Sequence, residues 1–166
     1  MTALVAAVTA VLAALGLASV QNAREQAASA LWVAHTHRVI ESLQRIVSSV
    51  AEAESALRGY SIARDETFLV EIDPACREAT DAVAQARERV ADDPGQLERL
   101  AVVDQAVRER LLLIMERKAA VVAGASPQVP ARAHALTRQI TSTVDEMLRV
   151  ERGLLDERAA ETAAAA

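Results

Sequence analysis

Residues 32–60 read WVAHTHRVIESLQRIVSSVAEAESALRGY. Apolar and small side chains recur at Trp32, Thr36, Val39, Leu43, Ile46, Val50, Ala53, Leu57 and Tyr60, in alternating steps of four and three. A step averaging about 3.5 residues is that of a helix packed along a seam in a bundle or coiled coil. His37, Arg38, Glu41, Gln44, Arg45, Ser48 and Glu52 take the opposite face, which suits water. Neither Pro nor Gly interrupts the run before Gly59. The stretch predicts one helix, roughly 40 Å long, ending near Gly59 and Tyr60.

The same pattern extends along the chain. A second seam runs through Leu69, Ile72, Cys76, Ala79, Val83, Ala86 and Val90. Asp65 is placed to cap that helix, and Pro74 predicts a kink or restart with Asp73 as a local cap. Asp92-Asp93-Pro94-Gly95 is the clearest turn. A third helix is expected from about Gln96, with Leu97, Leu100, Val103, Val107, Leu111, Ile114 and Val121 on its seam. Leu112, Leu113 and Met115 widen that stripe and predict a second buried contact or a partner surface. After the loop at residues 123–130, a fourth helix follows from Ala131, with Leu136, Ile140, Thr143, Met147, Val150 and Leu154 inward, flanked by Val144, Leu148 and Leu155. Residues 161–166 carry no apolar stripe and are expected to fray. The fold class is all-α: an antiparallel up-down four-helix bundle of long helices over residues 23–160, since short connections make neighbours antiparallel.

Residues 3–20 contain no charge and are mostly Ala, Val and Leu. Eighteen helical residues reach about 27 Å against a hydrocarbon core of about 30 Å, so residues 1–22 are expected to be an N-terminal transmembrane helix. A cleaved signal peptide and a buried soluble helix are the rival readings. No basic n-region precedes Leu4, which disfavours the signal. Ala6, Ala10, Ala14 and Ala18 form a small-xxx-small ridge suited to close helix approach, though the Ala richness of the segment also yields one by chance.

The 166 residues carry a net charge of −5 with no Lys/Arg block, which argues against a nucleic-acid surface. The single Cys76 cannot form an intrachain disulfide and reads as a small seam residue. His35 and His37 diverge on one helix and cannot chelate one metal together. No nucleophile elbow, phosphate loop, zinc motif or paired Cys occurs, so no catalytic residue, cofactor or metal is expected. Glu54 and Arg58 stand at i, i+4 with the acid first, the favourable order for a side-chain pair. That pair reads either as a structural tie at the helix end or as part of a signalling network. Gly59 suits close packing or an unusual φ there, and Tyr60 adds a ring with a polar tip.

Five segments together carry a resemblance. They are Trp32-Val33-x-His35-Thr36, Glu54-xxx-Arg58-Gly59-Tyr60, the DETFL run from Asp65, the DDPGQLERL run from Asp92, and Glu151-xx-Leu154-Leu155-xx-Arg158. In this order they resemble a CHASE3 domain, the extracytoplasmic sensory module of bacterial transmembrane receptors. The resemblance implies a receptor input domain in the bacterial cytoplasmic membrane, with residues from about 23 onward extracytoplasmic. It implies a small-molecule or stress stimulus, a cytoplasmic output such as a histidine kinase or nucleotide cyclase, and a homodimer. No second apolar span follows before Ala166, so a fragment of a longer receptor is expected, with a stand-alone module as the rival. A membrane-anchored scaffold using the Leu111–Ile114 stripe, and a soluble bundle that opens onto lipid, are the alternative functions.

Overall fold

A computed structural model describes residues 2–126 and 128–164, with side chains placed for 15, 16, 19–21, 23, 24, 27, 29–126 and 128–160. Among the described residues the chain is all-helical: α1 (Thr2–Ala63), α2 (Thr67–Arg89), α3 (Pro94–Val122) and α4 (Ala131–Ala164). No helix among them is long and apolar enough to cross a membrane. The span expected over residues 1–22 lies for the most part outside the described side chains.

Polar ties give the helix directions. Arg89 Nη1 donates to the Arg38 carbonyl at 2.6 Å, and Arg45 lies 3.5 Å from Glu78, so α2 returns along α1. Arg87–Asp104 at 2.6 Å and Lys118–Asp73 at 2.5 Å turn α3 back along α2. Gln96–Glu151 and Arg132–Glu109 do the same for α4 against α3. The four helices share one core, which draws Leu43 and Ile46, Ala79 and Val83, Leu100 and Val107, and Ile140 and Met147 from α1 to α4 in turn.

The most extensive interface joins α1 and α2. Its residues explain why. Ser42, Ser49, Ala53 and Ala56 are buried on α1, and Ala75, Ala79, Ala82 and Ala86 on α2. Small side chains let two backbones approach closely. The buried hydroxyls cost little, because Ser42 donates to the Val39 carbonyl at 2.9 Å and Ser49 to the Arg45 carbonyl at 2.8 Å.

Several boundaries differ from the sequence expectation. α1 passes through Gly59 and ends at Ala63, where Arg64 takes the left-handed conformation (φ 56°) and its N–H bonds the Tyr60 carbonyl at 2.9 Å. Arg64 is held there by its Nη1 bond to the Val121 carbonyl at 2.9 Å and by the Tyr60 ring, 5.7 Å away. Gly59 therefore serves close packing, not an unusual φ: a Cβ on it would meet Phe68 ring atoms at 2.7–3.0 Å. Asp65 accepts from the Thr67 N–H and hydroxyl at 2.9 and 2.8 Å, which lowers its pKa, but it stands one residue before the cap position, which Glu66 takes without a side-chain bond.

Pro74 neither breaks nor restarts α2. The carbonyl its ring deprives of a partner belongs to Val70, 73 % exposed, where water can replace the lost bond. Asp73 is not a cap but the partner of Lys118. α3 begins at Pro94, ahead of the expected Gln96, because proline suits the first helical position and Asp93 Oδ1 caps the Gln96 N–H at 2.9 Å. On α4 the buried line is Ala133, Leu136, Ile140, Val144, Met147, Leu148 and Glu151, whereas the expected Val150 is exposed. On α3, Leu111 and Leu113 pack partly against the core and Ile114 is buried, which leaves Leu112 and Met115 outward.

The Gly59–Phe68 contact is testable. Gly59→Val is expected to destabilise by about 1–3 kcal/mol through overpacking. In a Phe68→Ala background the same change should cost under about 1 kcal/mol, read from urea unfolding as a double-mutant cycle.

Candidate functional site

The residues singled out by sequence gather at the two ends of the core. At one end, α1 supplies Trp32, His35 and Thr36, and α4 supplies Glu151, Leu154 and Arg158. The Arg158 guanidinium lies 5.3 Å from the centroid of the Trp32 ring, which ties α1 to the far part of α4. Thr36 is buried beneath them. Leu154 and Leu155 are half-buried.

Beside this contact sits a group the sequence reading missed. Gln96, at the start of α3, is fully buried and its Nε2 donates to Glu151 Oε1 at 2.8 Å. Its Oε1 is buried and meets no donor among the described residues. Burial pushes the Glu151 carboxyl above its ordinary range; the Gln96 N–H opposes this, Asp93 and Asp92 add to it, and His35 counters it. The result is a buried acid–amide pair spanning α3 and α4, faced by His35 from α1.

Nearer the other end, three helices meet in a second polar layer. Arg110 Nε donates to Glu54 Oε1 at 2.8 Å and to Thr137 Oγ1 at 3.1 Å. Thr137 Oγ1 lies 2.8 Å from the same Glu54 oxygen. The expected Glu54–Arg58 pair is therefore replaced by Glu54–Arg110. The cause is burial: Arg110 is 7 % exposed and requires a counter-charge, whereas Arg58 at the cavity rim is exposed enough for water to solvate it.

Next to this layer is a cavity of about 220 Å³ between α1, α3 and the start of α4. Arg58, Arg110 and Arg117 line it, with Glu54 and His134. Arg117 Nε is buried and without an acceptor among the described residues. No such pocket was legible in an Ala-rich seam. Elsewhere, Cys76 is half-buried with its thiol pKa raised by burial, the mark of an unreactive side chain. Among the described residues, no three His, Cys, Asp or Glu side chains converge as metal ligands.

The CHASE3 domain family matches residues 29–161, a stretch that takes in both polar layers and the cavity. The chain belongs to the CHASE3 family. CHASE3 domains are extracytoplasmic sensory domains of membrane receptors, so the chain is a sensory domain in the general sense. Comparison with curated proteins and with solved structures finds no match.

The missed residues did leave a signal. Leu100, Val103, Val107, Arg110, Ile114, Arg117 and Val121 advance in steps of three and four, so two arginines occupy seam positions. Reading only apolar residues as inward put Leu111 in the place of Arg110 and concealed both.

Substitutions can separate the two pairings. Arg110→Leu strands a partly buried carboxylate and is expected to cost about 2–3 kcal/mol, below the roughly 3–5 kcal/mol of a fully buried pair. Arg58→Ala should cost under about 0.5 kcal/mol, and equal losses in chemical denaturation would refute the assignment. For Glu151, the folded chain keeps its proton to higher pH than the unfolded chain. Its contribution to stability is full below the unfolded carboxylate range and falls as pH rises through that range towards the raised folded value. Relative to wild type, Glu151→Gln should gain melting temperature between about pH 4 and about pH 7; parallel curves would contradict this.

Proposed function

We propose that the chain is the input domain of a bacterial transmembrane receptor, an antiparallel up-down four-helix bundle joined to an N-terminal membrane span. The observation that carries this reading is the CHASE3 match over residues 29–161. Three features support it. The backbone of α1 is one helix from Thr2 to Ala63, so the apolar run and the bundle seam share a rigid rod. α1 and α4 are tied at one end by Trp32 and Arg158, so the first and last helices lie side by side there. Two buried polar layers join helices that a stimulus can repack. Packed interfaces switch between discrete arrangements, so a small shift at one layer can pass along α1 and α4.

On this reading, residues from about 23 onward are extracytoplasmic at the bacterial cytoplasmic membrane. The signalling unit is a homodimer. Any output enzyme, such as a histidine kinase or a nucleotide cyclase, belongs to the cytoplasmic side, and no catalytic role is assigned to residues 1–166. The scaffold alternative is less well supported, because Leu111, Leu113 and Ile114 pack inward.

Membrane placement can be measured directly. The natural Cys76 is replaced by Ser and the exposed Val70 by Cys. The protein is expected to stay with carbonate-washed membranes and to react with a membrane-impermeant maleimide on intact cells. Recovery in the soluble fraction, or labelling only after lysis, would overturn the proposal.

A further inference from the structure

We propose that the cavity between α1, α3 and the start of α4 binds a small aliphatic dicarboxylate. The proposal rests on the sensory reading only for its biological meaning; the binding itself stands on the chemistry of the cavity.

Three guanidinium groups, Arg58, Arg110 and Arg117, line the cavity against one carboxylate, Glu54. Arg110 and Glu54 satisfy each other at 2.8 Å. Among the described residues, neither Arg58 nor Arg117 has a hydrogen-bond or ion-pair partner. Two uncompensated positive charges thus converge on one hollow in a chain whose net charge is −5. The Arg117 position is forced by the helix repeat, since it lies seven residues beyond Arg110 on the buried line of α3. A buried N–H without an acceptor is costly, and buried polar groups in native proteins are nearly always paired. An anion supplies the missing acceptor. α4 begins at Ala131, beside the Val129, Pro130 and Ala133 wall, so the positive end of its dipole faces the same space.

The remaining walls set the ligand class. Leu57, Leu113, Val129, Pro130 and Ala133 are apolar, and among the described residues the His134 imidazole is the one further polar group. The apolar residues outnumber it and favour a ligand with a hydrocarbon body over an inorganic anion that keeps its hydration shell. The volume of about 220 Å³ corresponds to about seven waters at roughly 30 Å³ each, enough for a short organic acid and too small for a nucleotide. Two free guanidinium groups match two carboxylates, and Arg–carboxylate pairing is directional and strong. A ligand held by Arg58 on α1 and Arg117 on α3, against the first turn of α4, binds three helices at once. It favours the arrangement that holds them together, which is the unequal binding a signal requires.

The test uses isothermal titration calorimetry on the full chain in detergent, with succinate, propionate and inorganic phosphate as probes. Succinate is expected to bind saturably with a dissociation constant below about 1 mM, and propionate and phosphate at least about tenfold more weakly. Arg117→Gln and the exposed Arg58→Gln should each weaken succinate binding at least about tenfold, with helix content unchanged by circular dichroism. Arg87→Gln, which touches only the Asp104 pair away from the cavity, should leave binding as in wild type. Absence of saturable succinate binding, equal binding of phosphate, or unchanged affinity in both cavity variants would overturn the proposal. Membrane fractionation is scored separately, so a chain that binds succinate but is found free in the cytoplasm sinks the receptor reading and leaves the site standing.

Discussion

A guanidinium buried on the seam of a helix obliges its neighbours to answer it. Arg110 occupies such a position, and its Nε is met by a carboxylate from α1 and a hydroxyl from α4. Taking a charge out of water costs several kcal/mol unless partners replace the lost solvation. Only one axial register of α1, α3 and α4 brings Glu54 and Thr137 to Arg110 together. The apolar seams alone are less exacting, because Leu, Ile, Val and Ala tolerate a slide of one heptad far better than a charge tolerates losing its partner. The polar layer thus sets the register in which the apolar residues then fill space.

The two ends of the core differ in chemistry. Near Trp32 the buried layer is an acid and an amide, with Asp92 and Asp93 close by and the Glu151 carboxyl held above its usual range. Near Tyr60 it is a cluster of arginines with a single acid. The two polar layers thus differ in kind, a buried acid–amide pair at one end and an arginine-rich cluster at the other. Between them run the small-residue interface of α1 with α2 and the shared core. Close packing leaves both with little room for a change in side-chain volume.

Much of the fold was legible because it rests on period. The spacing from Trp32 to Tyr60 specifies a helix and its inward face, and Val39, Leu43, Ile46, Val50, Ala53 and Leu57 are all buried as that spacing implies. Turn chemistry was legible in part: the Asp92–Gly95 turn does separate α2 from α3, while the cap at Asp93 emerged only from the structure. Where local rules were followed too literally they failed. Gly59 did not end α1, because α2 needed the room for Phe68. Pro74 did not break α2, because the carbonyl it deprives of a partner belongs to Val70, on the exposed face of the helix. On α4, Val144 is buried in preference to Val150, a choice that period leaves open and the neighbouring helices make.

The sequence by itself determined the class of the fold, the family and the inward face of α1, because helix period is set within one segment and the family by the order of short motifs along the chain. Only the tertiary structure decided which charge meets which. Glu54 had a well-spaced candidate in Arg58, four residues away on its own helix, yet its partner is Arg110, fifty-six positions distant. A local pair in water is worth a few tenths of a kcal/mol, whereas an unpaired buried guanidinium costs roughly ten times more. The heavier penalty decides the pairing, and it arises only once the helices lie side by side.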